Sequence, residues 1–139
     1  LGVPAGPERG RLVRGESITL AGGALVHPDQ VLGETVSGAV LVYVGDAGRT
    51  DDLLEVCREA DALVIEATYL EVEADLARRF GHLTAAQAAT LARRAGVKQL
   101  LLTHISRRYS EREVLADAEP IFPNTVVARD FDRFRIVKK

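Results

Sequence analysis

The stretch KQLLLTHISRRY (98–109) decides the fold. An apolar run stops on Thr103 and His104, and Ser106, two arginines and Tyr109 follow at once. A continuous apolar run of this length fits a strand buried on both faces, the habit of a parallel sheet. Two other runs behave alike: AVLVYVG (39–45) leads to Asp46, and ALVIEAT (62–68) carries Glu66 near its end. Ligands of open α/β sheets bind outside the carboxyl ends of the strands. If the three strands are parallel neighbours, Asp46, Glu66 and His104 converge on one edge.

The segments between these runs predict helices. TDDLLEVCREA (50–60) reads as an amphipathic helix with aspartates favourable to its positive end. EVEADLARRF (71–80) is helical, and another helix starts at Thr84 and ends at Gly96, a glycine stop. SEREVLADAEPIF (110–122) is a further helix, and TVVARD and FRIVKK two terminal strands. Strand–helix alternation implies α/β layering. Residues 1–38 differ: they hold 8 of the 12 glycines and 3 of the 5 prolines. That stretch predicts turns with at most short strands such as SITL and ALVH, and no core of its own.

Composition narrows the function classes. The chain has 139 residues, 47% of them hydrophobic, enough for one domain with a real core. A net charge of −2 argues against a globally basic nucleic-acid binder but leaves room for a local basic site. The single cysteine, Cys57, cannot close an internal disulfide, so a reducing compartment is expected. No apolar run is long enough to span a bilayer, and the expectation is a soluble, cytoplasmic protein with no membrane partner. Leu1 and the absence of methionine suggest a piece of a longer protein.

A carboxylate beside an imidazole suits a hard or borderline divalent metal such as zinc. The plain alternative is that a strand-end Asp caps the next helix and a strand-end His is only hydrogen-bonded. Glu66 is harder to set aside, because a carboxylate flanked by buried apolar residues needs a partner. Thr84 and Gln87 form a capping-box pattern, which puts His82 on the loop entering a helix. That helix start is a natural place for phosphate. On this feature alone, His82 reads as a solvent-facing loop residue. Ser106 and Arg108 offer a hydroxyl and a guanidinium fork of the kind that binds phosphate. Arg107 and Arg112 read as solvated surface charge, and His27, in LVHPDQ, as a loop residue.

Taken together, G-D-x (45–47), x-E-A-T (65–68), G-H-x-T-A-A-Q-A (81–88) and L-T-H-x-S-x-R-Y (102–109) resemble the C-terminal half of ribonuclease Z. That family comprises transfer-RNA 3′-processing endonucleases of the metallo-β-lactamase superfamily. The opening, with its G-x-L-x-R-G at 10–15, is similar to the segment after the family's protruding substrate-binding arm. The resemblance implies an α/β chain forming the C-terminal half of an αββα sandwich. Residues 1–38 would follow the arm, and residues 39–139 would form half of the metallo-β-lactamase-fold domain. It further implies two zinc ions in the intact parent, with Asp46 bridging them and His104 as a ligand. His82 and Glu66 would be a proton relay, and Thr84, Ser106 and Arg108 would lie near the substrate's end.

The chain also departs from the family. Ala47 stands where the family usually has Thr, and Ile65 where it usually has His, leaving Glu66 without its usual neighbour. The H-x-H-x-D-H signature belongs to the N-terminal half and is not in this sequence, so zinc binding by this chain alone should be weak. The implied partners are precursor tRNA, the N-terminal half and a second copy in a homo-oligomer. A non-catalytic remnant that binds RNA or a partner subunit, or another hydrolase of the same fold, are the alternative readings.

Overall fold

The computed structural model describes residues 1–138 and divides the chain into two compact units, Leu1–Ser37 and a second from Gly38 onward. In the first unit a helix, α1 (Pro7–Val13), precedes a two-stranded antiparallel ribbon of β1 (Ile18–Thr19) and β2 (Leu25–Val26). The short strands match the sequence reading, but the helix corrects it. Pro7 in the first turn has φ already set for a helix, and Glu8 sits near the positive end. The ribbon turns at Gly23, whose φ of +80° favours glycine. Leu12, Ile18 and Val26 bury together, a small cluster where no core was expected. His27 is exposed, as expected of a loop residue, and bonds Ser17 Oγ through Nδ1.

The second unit is a four-stranded sheet in the order β3 (Leu41–Tyr43), β4 (Ala62–Glu66), β5 (Leu100–Thr103) and β6 (Thr125–Val127), parallel throughout. The register pairs Tyr43 with Val64 and Glu66 with Thr103. The carboxyl ends of β3, β4 and β5 therefore reach one edge together. Three helices follow in the connections: α2 (Ala74–Phe80), α3 (Ala85–Ala95) and α4 (Glu111–Ala118). Leu63, Ile65, Leu100, Leu102 and Val127 point to the face where α3 and α4 pack. Alanines 85, 88, 89, 92 and 95 let α3 lie close to that face. Cys57 is fully buried in this core, and burial pushes its thiol pKa up.

Helix α3 begins and ends as read. Thr84 caps its start, Gln87 returns the bond to the Thr84 N–H, and Gly96 ends it at φ +69°. Three other expectations need correction. Residues 50–60 form no α-helix; a single 3₁₀ turn, Asp51–Leu53, gives way to further turns. Leu53, Leu54 and Cys57 still reach the core, but Glu59 takes φ +53° and gives its N–H to the Ala95 carbonyl, drawing the segment out of helical continuation. Strand β3 is not buried: it is a sheet edge, and Leu41 and Tyr43 are 54% and 72% exposed. Finally, FRIVKK is no strand over 134–138, and its last residue lies outside the described residues. After Val127 the chain turns, with Asp132 N–H bonded to the Arg129 carbonyl and Phe131 at φ +70°. Among the described residues no helix is long and apolar enough to cross a membrane.

Candidate active site

Parallel register brings the predicted side chains to one place. Asp46 lies three residues beyond β3, Glu66 ends β4, and His104 follows β5 directly. Asp46 Oδ1 and His104 Nε2 stand 3.6 Å apart, and both side chains are mostly exposed. His104 occupies the left-handed region at φ +55°, an unusual conformation for a residue other than glycine. Such backbone strain concentrates at functional sites. His82, on the loop between α2 and α3, lies with its ring 5.3 Å from that of His104. Asp46, His82 and His104 each offer a ligand atom, and the three atoms lie within 4.8 Å of one another.

Behind this trio, Glu66 is 1% exposed. Its Oε1 accepts the Ala47 N–H at 2.8 Å and lies 3.0 Å from His82 Nδ1. Its Oε2 accepts the Thr68 hydroxyl and N–H. A carboxylate at Nδ1 makes that nitrogen the donor and leaves Nε2 free for chemistry. Ile65, in place of the family's usual histidine, leaves Glu66 without that usual neighbour but not without partners. Ile65 points to the opposite face of β4 and is fully buried in the core, while Glu66 has four bonding contacts of its own. Ala47 contributes through its backbone N–H, so the bond needs no particular side chain there.

The donor set suits a metal in part. Zinc ligands lie about 2.0–2.2 Å from the ion, so two ligands of one tetrahedral ion stand about 3.4 Å apart. The Asp46–His104 separation meets that spacing, and an oxygen with an imidazole nitrogen is a donor pair zinc accepts. His82 Nδ1 is held by Glu66, which leaves Nε2 as the ring nitrogen open to the site.

The remaining candidates separate. Arg108 lies with its guanidinium carbon 5.5 Å from the Tyr69 ring and 5.4 Å from the Tyr109 ring. Its Nη2 reaches Glu73 and the Tyr109 hydroxyl, each at 3.3 Å. Ser106 is half-buried, and its N–H bonds the Thr68 carbonyl at 3.4 Å. Arg107 and Arg112 are exposed, as read. Thr84 is fully buried, so its hydroxyl is closed off from solvent; it donates to Glu71 and caps α3. The expected phosphate place at the α3 start is also taken. The first-turn amides of Ala85, Ala86 and Gln87 bond the Tyr69 carbonyl, Asp117 Oδ2 and Thr84 Oγ1. Sequence reasoning missed Thr68, Tyr69 and Asp117. Thr68 had a signal: two residues beyond Glu66 in extended chain, it shares that side chain's face.

A parallel sheet with a carboxylate and two imidazoles gathered at its carboxyl edge defines a class. Residues 11–105 match the model of the beta-lactamase superfamily domain, and the chain belongs to that family. Its sequence is similar to proteins named ribonuclease Z. It is 48% identical to that of Bradyrhizobium diazoefficiens over 95% of this chain and 44% of the relative's length. It is 46% identical to that of Archaeoglobus fulgidus over 94% of this chain and 43% of the relative. The chain thus spans somewhat under half the length of these curated relatives. Among solved structures, human tRNase Z, short form, superposes with a TM-score of 0.57 at 29% identity, covering 81% of this chain and 35% of that one. The metallo-beta-lactamase fold protein YhfI of Bacillus subtilis gives 0.60 at 24% identity over 64% and 36%, a likeness of fold.

Proposed function

We propose that this chain is part of a zinc-dependent endoribonuclease that removes the 3′ trailer of precursor tRNA, and that it is complete only with an N-terminal half carrying further ligands. The observation that carries this reading is the meeting of Asp46, His104, His82 and Glu66 at one sheet edge, with the last two hydrogen-bonded. Asp46 and His104 are the proposed metal ligands. Two zinc ions, when bound, would supply a water with a pKa of about 7 and positive charge beside the phosphoryl oxygens.

The chain's own residues do the rest. Water attacks phosphorus, the bond to the 3′ oxygen breaks, and that oxygen must gain a proton. His82 is the proposed donor, through the nitrogen that Glu66 leaves free. Glu66 orients the ring and balances the charge of its protonated form. Arg108, braced by two tyrosines and Glu73, positions a substrate phosphate, with Ser106 beside it. Thr84 serves the site by holding the start of α3.

The same reading includes a homodimer and a cytoplasmic setting. The exposed Leu41 and Tyr43 on β3 support a sheet face that is covered in the complete protein, and a lone buried thiol suits a reducing compartment. The intact contacts of Glu66, despite Ala47 and Ile65, favour an enzyme over a remnant that only binds. Single-turnover cleavage of precursor tRNA by the complete protein, wild type against His82→Ala, tests the proposal. A loss of roughly 10²-fold or more is expected of a proton-transfer residue, and an unchanged rate would overturn the assignment.

A further inference from the structure

Glu66 divides its two oxygens between separate tasks. Oε1 takes the Ala47 N–H and faces His82, whereas Oε2 is given wholly to Thr68. The Thr68 hydroxyl lies 2.5 Å from Oε2 and its N–H 3.3 Å. A carboxylate this buried has no bulk water to fix its plane, and the terminal torsion of Glu is intrinsically broad. Its orientation therefore depends on donors. Three of the carboxylate's four partners are groups other than His82, and Thr68 supplies two of them. The Thr68 oxygen also lies 3.4 Å from His82 Nδ1, so the hydroxyl sits against the imidazole whose partner it orients.

We propose that Thr68 is a positioning residue for His82, acting through Glu66: its hydroxyl locks Oε2 so that Oε1 stays aimed at Nδ1, which keeps the proton there and Nε2 available. The inference rests on the relay reading above. It does not require any contact between Thr68 and substrate or metal. A Ser or Thr hydroxyl supplies this donor without adding charge.

The test compares Thr68→Val, Thr68→Ala and Thr68→Ser in the complete protein. Valine keeps the shape and backbone N–H but loses the hydroxyl. Both hydroxyl-less variants should lower kcat for precursor tRNA by roughly 10²-fold, within the range of general acid catalysis, with KM and bound zinc unchanged. In metal-free protein labelled with ¹⁵N-histidine, the His82 ring nitrogens should shift from their wild-type positions in both. Thr68→Ser should restore the rate and the ring signals. Wild-type kcat in Thr68→Val or Thr68→Ala overturns the proposal. So does a serine variant as slow as the valine one, a loss of zinc that tracks the loss of rate, or loss of fold without the hydroxyl. His82→Ala separates the two levels. If it cleaves normally, the relay reading itself falls; if it is crippled while Thr68→Val is not, only the Thr68 inference falls.

Discussion

Gly48 lies against Gly81: a Cβ added at residue 48 would come 3.3 Å from the Gly81 Cα. The loop carrying Asp46 therefore touches, backbone to backbone, the loop that leads to His82. Gly81 is constrained twice, since it also ends α2 at φ +73°. Gly48→Ala should push the two loops apart by a few tenths of an ångström. In the complete protein we expect cleavage to fall roughly 3- to 10-fold, because catalysis is steeply sensitive to placement. Gly81→Ala should instead cost stability, about 1–2 kcal/mol for a left-handed residue with a side chain. Unfolding midpoints set beside cleavage rates would distinguish the two, and equal effects on both quantities in both variants would contradict this reading.

Asp117, on α4, accepts the N–H groups of Glu71 and Ala86 with one oxygen. It ties the start of α3 to the preceding turn. Asp117→Ala should destabilise the fold by about 1–2 kcal/mol, the usual cost of a lost cap and of amides left without an acceptor. Asp117→Asn keeps an oxygen and should lose less. Denaturant unfolding measures both, and an alanine variant as stable as wild type would show that water replaces the carboxylate.

How far the site was legible in the sequence follows from what each residue's role depends on. Asp46, Glu66 and His104 announced themselves because an apolar run that ends in a polar residue marks a strand end, and parallel strands end together. The capping box at Thr84 was equally plain, being a purely local pattern. What it implied for phosphate was not, because Asp117 comes from a distant helix to occupy the amides. Likewise Ile65 suggested a damaged relay, whereas strand alternation turns that residue away from the site and into the core. The left-handed conformation of His104 left no mark in the sequence. Residues 50–60 carried a helical period that three apolar positions satisfy through short turns, and β3 looked buried because apolarity cannot tell an edge strand from a central one.

The exposed face of β3 bears on the chain by itself. Leu41 and Tyr43 project from a sheet edge whose outer side is unpaired among the described residues. Such edges and apolar patches recruit other chains. The isolated 139 residues should self-associate, with sedimentation velocity showing dimers or larger species, and should not cleave precursor tRNA at any zinc concentration. Leu41→Lys with Tyr43→Lys should shift the chain toward monomer. A wild-type chain that is monomeric at all concentrations would contradict this, and cleavage by it would end the half-site account.

The division of labour between ligands and relay is the central claim, and zinc content measured beside single-turnover cleavage tests it most directly. In the complete protein, Asp46→Ala and His104→Ala should lose bound zinc together with activity. His82→Ala should keep its zinc while cleavage falls by roughly 10²-fold or more, as expected when a proton donor is removed. Zinc lost with His82 and retained without His104 would invert the assignment and contradict the account.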